Sequence, residues 1–223
     1  MNPINFLRNL PVFQDLQERD WLHLSSIIKD RVLPKHEYIY KEEEKSDQIF
    51  FLIKGIIKIG THSDDGREVI KHILHPMAMF GELSLIGELT RNDFAISMTD
   101  DVRICSMKTT QFFKLMEMNH LLSMRLLKTV GKRLRKAEER LESLIFKDAR
   151  ERIIDFLKNS AEQQGKKIGY EMLIKHCLTQ QDIANITGTS RQTVTSVLND
   201  LRKSNLIYFN RRSILIRDIG RLS

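Results

Sequence analysis

Between Leu178 and Ile207 the chain reads LTQQDIANITGTSRQTVTSVLNDLRKSNLI. Its most reactive surface chemistry is a set of hydrogen-bonding groups: Gln192, Ser196, Asn199 and Lys203, flanked by Arg191 and Thr195. At helical spacing these stand opposite an apolar stripe of Val194, Val197, Leu198 and Leu201. An arginine can pair with both acceptors of guanine, and a glutamine can do the same with adenine. Ser190 and Lys203 suit phosphates, which fix register without reading sequence. A merely solvated helix face usually carries Glu and Lys. This one is small, polar and mostly uncharged, which favours recognition of DNA over a helical hairpin that only fills a core.

The elements that must hold these groups are legible around them. Thr179 can cap a short helix, with Asp182 at its third position, and Thr179 is counted among the candidate DNA contacts. Ile183, Ala184 and Ile186 give that helix a buried face. Gly188 can take a positive φ without penalty, and Ser190 caps the second helix. Helix, short turn with Gly, helix is the helix-turn-helix pattern, whose second helix enters the major groove. Tyr208 to Ile216 reads as a hairpin with Asn210-Arg211-Arg212 near its tip, so Arg211 and Arg212 form a basic wing for the DNA backbone.

Upstream, Leu127, Val130, Leu134, Ala137, Leu141 and Leu144 recur at alternating steps of three and four. That is the seam of a coiled coil held for about three heptads. The residues between are almost all charged, so the stripe is too narrow for a broad core and fits a second copy of the chain. A single long helix packed on its own domain is the other reading. Asp148 can cap a following helix carrying Ile153, Ile154, Phe156 and Leu157, which makes residues 146 to 148 a hinge. The expected domains are a sensor domain over 1–118, a dimerisation helix and hinge over 119–147, and a winged helix-turn-helix over 148–223.

The first half changes period. Residues 4 to 30 read as short helices, with Asp20 capping one of them. Tyr38 to Tyr40, Gln48 to Lys54, Ile56 to Thr61, Glu68 to Leu74 and Val102 to Met107 are short, rich in Ile, Val, Phe and Tyr, and separated by turn residues. They predict an antiparallel sandwich or barrel, hence an α+β chain. Thr109 or Thr110 could cap the helix that leaves it, and Gln163 to Lys167 reads as a loop. One stretch, Phe80-Gly81-Glu82-Leu83-Ser84-Leu85-Ile86-Gly87, breaks the strand pattern. It can form a nest of inward N–H groups for an anion, with Glu82 suited to a ribose hydroxyl. An ordinary turn between strands is the other reading.

The bulk numbers bound the rest. The 223 residues carry a net charge of +7, and from Lys166 onward ten Lys/Arg face four Asp/Glu. A basic C-terminal segment suits a polyanion such as double-stranded DNA. No apolar run reaches the ~18 residues of a membrane span, so no membrane partner is expected. No basic stretch leads into an apolar block at the start. Cys105 and Cys177 are far apart and form no metal-binding spacing, so the expected setting is reducing and cytoplasmic, without a metal. No nucleophile–base pairing or P-loop suggests an enzyme.

Taken in order, these parts resemble the cyclic AMP receptor protein / fumarate–nitrate regulator family of bacterial transcription factors. The resemblance rests most on FGELSLIG at 80–87 and GTSRQTVTSVL at 188–198. It implies an N-terminal β-roll like a cyclic-nucleotide-binding jelly roll, a homodimer on a two-fold symmetric operator, and contact with RNA polymerase. It also implies effector-pocket candidates: Gly81, Glu82, Leu83, Ser84, Arg91, Asn92, Ala137 and Glu138. The nucleotide-binding members hold the cyclic phosphate with an Arg-Ser pair before a small residue. Aligning that residue with Ala95 puts Asp93 and Phe94 in those places, with Arg91 nearby. The dimer-helix Thr-Ser pair that meets adenine becomes Ala137 and Glu138. Both departures argue against cyclic AMP and leave the effector unknown. The iron–sulfur branch needs cysteines near the N-terminus, and this chain has none before Cys105. Arg191 takes the family's guanine-reading position, Gln192 replaces a glutamate and Ser196 a second arginine, so a different operator is expected. The alternative function is a ligand-binding regulatory module of a signalling assembly without direct DNA binding.

Overall fold

The computed structural model describes residues 3–222; Met1, Asn2 and Ser223, which bound the expected domains, lie outside the described residues. Two compact units divide the chain, Met1–Lys136 and Ala137–Ser223.

The first unit opens with helices α1 (Pro3–Leu7) and α2 (Glu18–Ile27). Eight strands follow: β1 (Lys29–Leu33), β2 (Tyr38–Tyr40), β3 (Gln48–Lys54), β4 (Ile57–His62), β5 (Glu68–Leu74), β6 (Met79–Phe80), β7 (Phe94–Ser97) and β8 (Val102–Lys108). They form two antiparallel sheets, ordered β1-β8-β3-β6 and β2-β7-β4-β5. Strand β3 explains the two layers. Its five central residues are all buried because both faces are covered. Ile49, Phe51 and Ile53 join the cluster of Phe13, Trp21, Leu24, Phe112 and Leu115, whereas Phe50 and Leu52 face inward with Ile57, Phe80 and Ile104. Side chains alternate across a strand, so one apolar run feeds two cores.

Helix α3 (Thr109–Met118) then leads into α4 (His120–Phe146). Leu122 and Leu126 bury against the first unit's helical cluster. Arg125 forms an ion pair with Asp15 and donates to Pro11 O at 3.2 Å and Gln14 Oε1 at 3.0 Å. The seam residues point elsewhere: Leu127 is 63% exposed, Leu134 61% and Leu141 59%.

The second unit holds the end of α4, then α5 (Ala149–Gln164), β9 (Lys166–Ile168), β10 (Glu171–Lys175), α6 (Gln180–Thr187), α7 (Arg191–Lys203), β11 (Ile207–Phe209) and β12 (Ser213–Ile216). The strands form one antiparallel sheet, β11-β12-β10-β9. Asp148 caps α5 by accepting from Glu151 N, while Glu151 accepts from Asp148 N, both at 2.9 Å. Ile153, Ile154 and Leu157 pack on Val194, Leu198, Leu201 and Ile216.

Three local expectations are corrected. Asp20 is the third residue of α2, not its cap; it accepts from Gln17 N at 3.1 Å, because the helix starts two residues earlier. Neither Thr109 nor Thr110 caps α3. Thr109 is buried as its first residue and donates its hydroxyl to Ser84 Oγ at 3.0 Å. Lys166 and Lys167 belong to a strand rather than a loop, since β10 offers them an edge to pair with.

Candidate nucleic-acid interface and sensor pocket

The helix-turn-helix is built by reciprocal capping. Thr179 Oγ1 accepts from Asp182 N at 3.0 Å, and Asp182 accepts from Thr179 N at 2.8 Å. Gly188 ends α6 at φ +63°, where a side chain would strain the backbone, and its N–H reaches Ala184 O. Ser190 Oγ accepts from Thr193 N at 3.0 Å and starts α7. Inward, Val194, Val197, Leu198 and Leu201 are buried. Outward, Arg191, Gln192 and Ser196 are exposed, Thr195 and Asn199 half-exposed, and these five line one shallow groove. Lys203 is exposed at the far end of α7.

Thr195 is more constrained than its neighbours. Its hydroxyl lies 2.7 Å from Gln180 Oε1 and 2.9 Å from Arg191 O, so its one proton is engaged within the protein. Gln180, which sequence reasoning passed over, therefore tethers α7 to the start of α6. In the wing, Asn210 Oδ1 accepts from the backbone N–H of Arg212 and Ser213, each at 2.9 Å, which makes a tight tip with Arg211 and Arg212 exposed. Arg202 lies 5.2 Å over the Phe209 ring, behind the wing.

The 81–87 turn of the first unit is arranged around a buried arginine. Gly81 (φ +74°) and Gly87 (φ +92°) bracket a 3₁₀ turn over Glu82–Ile86. Arg91, 3% exposed, donates to Gly81 O at 3.1 Å and Gln48 O at 2.6 Å. Its guanidinium sits 4.4 Å over Tyr40 and 5.7 Å from Phe50, and Phe50 stacks on Phe80 at 5.1 Å. A Cβ on Gly81 would come within 3.0 Å of Arg91 Nη1, so only glycine lets the turn approach so closely. Arg133 of α4 pairs with Glu82 and donates to Met79 O. Burial pulls the Arg133 guanidinium below its ordinary value, and burial together with the Asp93 charge pushes the Tyr40 phenol well up.

Of the two residues aligned with the Arg-Ser pair, Asp93 faces the Tyr40 phenol and Phe94 begins β7. Phe94 pairs opposite Gly60 and stacks on His62 at 4.8 Å, and Asp93 lies 3.6 Å from Lys71. Arg91 is the residue that reaches the turn, because β7 starts at Phe94 and leaves 91–93 as a connecting segment. Ser84 is buried and donates to Gly81 O at 2.9 Å. Leu83 and Asn92 are exposed, and Asn92 donates to Glu88 at 2.5 Å. Ala137 and Glu138 are exposed residues of the second unit. Tyr40, Phe50, Phe80 and Arg133 escaped sequence reasoning; the one available signal was the spacing of Arg133 on the polar side of the seam.

Cys105 and Cys177 form no disulfide among the described residues. Cys105 is buried, which pushes its thiol up to about 12. Among the described residues no helix is long and apolar enough to cross a membrane.

The cyclic nucleotide-binding domain model matches residues 30–119, and the Crp-like helix-turn-helix domain model matches residues 151–223. A CRP-like cAMP-activated global transcriptional regulator of Mycobacterium tuberculosis is 32% identical over 212 residues, which are 95% of this chain and 94% of that protein. The anaerobic regulatory protein of Bacillus subtilis is 26% identical over 205 residues, 92% of this chain and 86% of that one. A CooA variant from Carboxydothermus hydrogenoformans shares the fold, with a TM-score of 0.78 at 24% identity, over 96% of this chain and 93% of that one.

Proposed function

This chain belongs to the Crp/Fnr family of transcription regulators, and from that premise we propose that it grips a two-fold symmetric duplex as a homodimer, without cyclic AMP. The helix-turn-helix makes it a DNA-binding regulator rather than an enzyme. A signalling module without DNA binding has no counterpart among these relatives, which are transcription regulators.

The observation that carries the reading is the outer face of α7. Arg191, Gln192, Ser196 and Asn199 stand on one face with Lys203 behind them, and all of them can reach a groove. Arg191 reads guanine and Gln192 adenine; Ser190, Thr179, Lys203, Arg211 and Arg212 hold phosphates. The row Leu127, Val130, Leu134, Ala137, Leu141 and Leu144 is exposed along α4 and is the surface a second copy covers. Two such chains present their α7 helices about 34 Å apart, one helical turn of DNA. Contact with RNA polymerase belongs to the same reading and rests on family resemblance.

The roll is of a class that takes small-molecule effectors. As arranged, its residues do not fit a cyclic nucleotide. Glu82, the acceptor for a ribose hydroxyl, already receives Arg133. Arg91, the available anion partner, spends two nitrogens on backbone carbonyls and lies over Tyr40. Ala137 and Glu138 supply no hydroxyl pair.

Selection of bound duplexes from random-sequence DNA, followed by a salt series on the winner, tests the reading. The expected result is a palindrome differing from TGTGA, the best-known half-site of the family this chain resembles, with affinity that falls steeply with salt. Saturating cyclic AMP should change that affinity less than about twofold, well under the fivefold or more of a typical coupling. Unchanged TGTGA half-sites with a tenfold gain from cyclic AMP would refute both specificity and effector claims.

A further inference from the structure

The turn between α6 and α7 is held by two arginines from outside the helix-turn-helix, neither of which lines the groove on α7. The last carbonyls of a helix lack intrahelical partners and carry partial negative charge. In α6, Ala184 O is satisfied by the N–H groups of Gly188 and Thr189, and Ile183 O by the Thr187 hydroxyl. The carbonyls of Ile186, Thr187 and Gly188 accept from guanidinium groups. Arg140, in the tail of α4, donates to Ile186 O. Arg152, in the first turn of α5, donates through Nε to Thr187 O at 2.9 Å and through Nη2 to Gly188 O at 3.2 Å. Its remaining nitrogen, Nη1, donates to Lys147 O at 2.6 Å, in the hinge itself. Leu144 completes the contact: a Cβ on Gly188 would lie 3.1 Å from Leu144 Cδ2. Arg140 and Leu144 are four residues apart, so one face of the α4 tail meets the turn.

We infer that Arg140 and Arg152 are positioning residues for DNA recognition, tying the α6–α7 turn to the α4 tail and hinge so that α7 is aimed by the hinge. The inference rests on α7 being the recognition helix. A planar fork suits this task, because one rigid group spans three carbonyls from two elements. All three Arg152 nitrogens are engaged by the chain's own backbone. Arg152 therefore contributes to sequence preference without neutralising a phosphate.

The test uses the full chain and two probes: the duplex that the unaltered protein selects from random DNA, and a scrambled duplex of equal length and composition. Arg152→Gln should weaken binding to the selected duplex by about ten- to a hundredfold. Arg152→Lys should recover little of this, since an ammonium cannot span the three carbonyls. Arg140→Gln, which loses the bond to Ile186 O, should cost less, about three- to tenfold. Affinity for the scrambled duplex and the salt slope should stay unchanged in all three, because no phosphate contact is lost. Equal losses on both duplexes, with the slope reduced by about one, would make these arginines phosphate contacts and overturn the inference. Full affinity in folded Arg152→Gln and Arg140→Gln would overturn it too, as would unfolding of all three variants by near-ultraviolet circular dichroism, which would mark a role in holding the domain together. An unaltered protein that shows no preference between the duplexes defeats the DNA-reading assignment itself, a failure distinct from these.

Discussion

Arg191 and Arg91 are the same side chain put to opposite uses. Arg191 stands exposed on α7 beside Gln192 and Ser196, its donors turned outward. Arg91 is buried in the roll, with its donors on Gly81 O and Gln48 O and its face on Tyr40. The outer face of α7 leaves Arg191, Gln192 and Ser196 exposed, whereas the roll's turn engages Ser84, Arg133 and the Nη1 and Nη2 of Arg91 internally and leaves the buried Arg91 Nε without a partner among the described residues. An outward polar face costs little without a partner, because water serves it. A buried one must be paired within the chain. The recognition face is thus ready for a partner, and the roll's turn holds most, not all, of its polar groups within the chain.

The largest effect should come from the surface that doubles the recognition face. Leu134→Glu puts a charge into the exposed seam, and two of them into any dimer. Sedimentation should show single chains, and affinity for the full palindrome should drop by about 10²- to 10⁴-fold as bivalence is lost. Unchanged affinity with intact dimers would move the dimer contact elsewhere. Next, Arg91→Met should lower the roll's unfolding free energy by about 2–4 kcal/mol, since Gly81 O and Gln48 O lose charged donors inside a packed core. Urea unfolding of the variant measures this, and a loss below about 0.5 kcal/mol would show that the roll does not depend on its internal arginine. Arg191→Ala should leave stability untouched while costing about 1–3 kcal/mol on the selected duplex and relaxing preference at one base pair. Repeating the selection with the variant reads this directly.

The smallest expected effect concerns acid. Burial holds the His176 imidazole below its ordinary value, against a smaller opposing push from its hydrogen bond with the Leu178 backbone. A depressed folded value means that protonation favours the unfolded chain. The contribution is therefore full above about 6.5, the unfolded value, and is lost as pH falls through the folded one. Thermal unfolding of His176→Gln between neutral and mildly acidic pH should show a flatter dependence than the unaltered protein. An identical slope in both would assign the acid sensitivity to other groups.

The two regions also differ in how far their sequences disclosed them. The helix-turn-helix was readable because its determinants are local. Thr179 with Asp182, Gly188, and Ser190 act over three or four residues, and the apolar stripe of α7 repeats at helical spacing. The roll's strands were readable where Ile, Val, Phe and Tyr cluster, as in β2, β3, β4, β5 and β8. The charged β1, with four of its five residues exposed, and the short β6 and β7 were not. The pocket was the least legible part, because Tyr40, Phe50, Phe80, Arg91 and Arg133 meet only through the roll's topology. Aligning Ala95 with a small residue singled out Asp93 and Phe94, and the reach of Arg91 to Gly81 O was open, since a loop's length does not reveal which side chain turns inward. The Arg140 and Arg152 contacts left no pairwise signature, because their partners are backbone carbonyls that any residue supplies.

The central claim is that two chains act as one on DNA, and stoichiometry on matched duplexes tests it most directly. Sedimentation of the protein with its selected palindrome should give two chains per duplex. The half-length duplex should bind at least about a hundredfold more weakly, as the loss of bivalence requires. One chain per duplex, with equal affinity for the half-length DNA, would contradict the account.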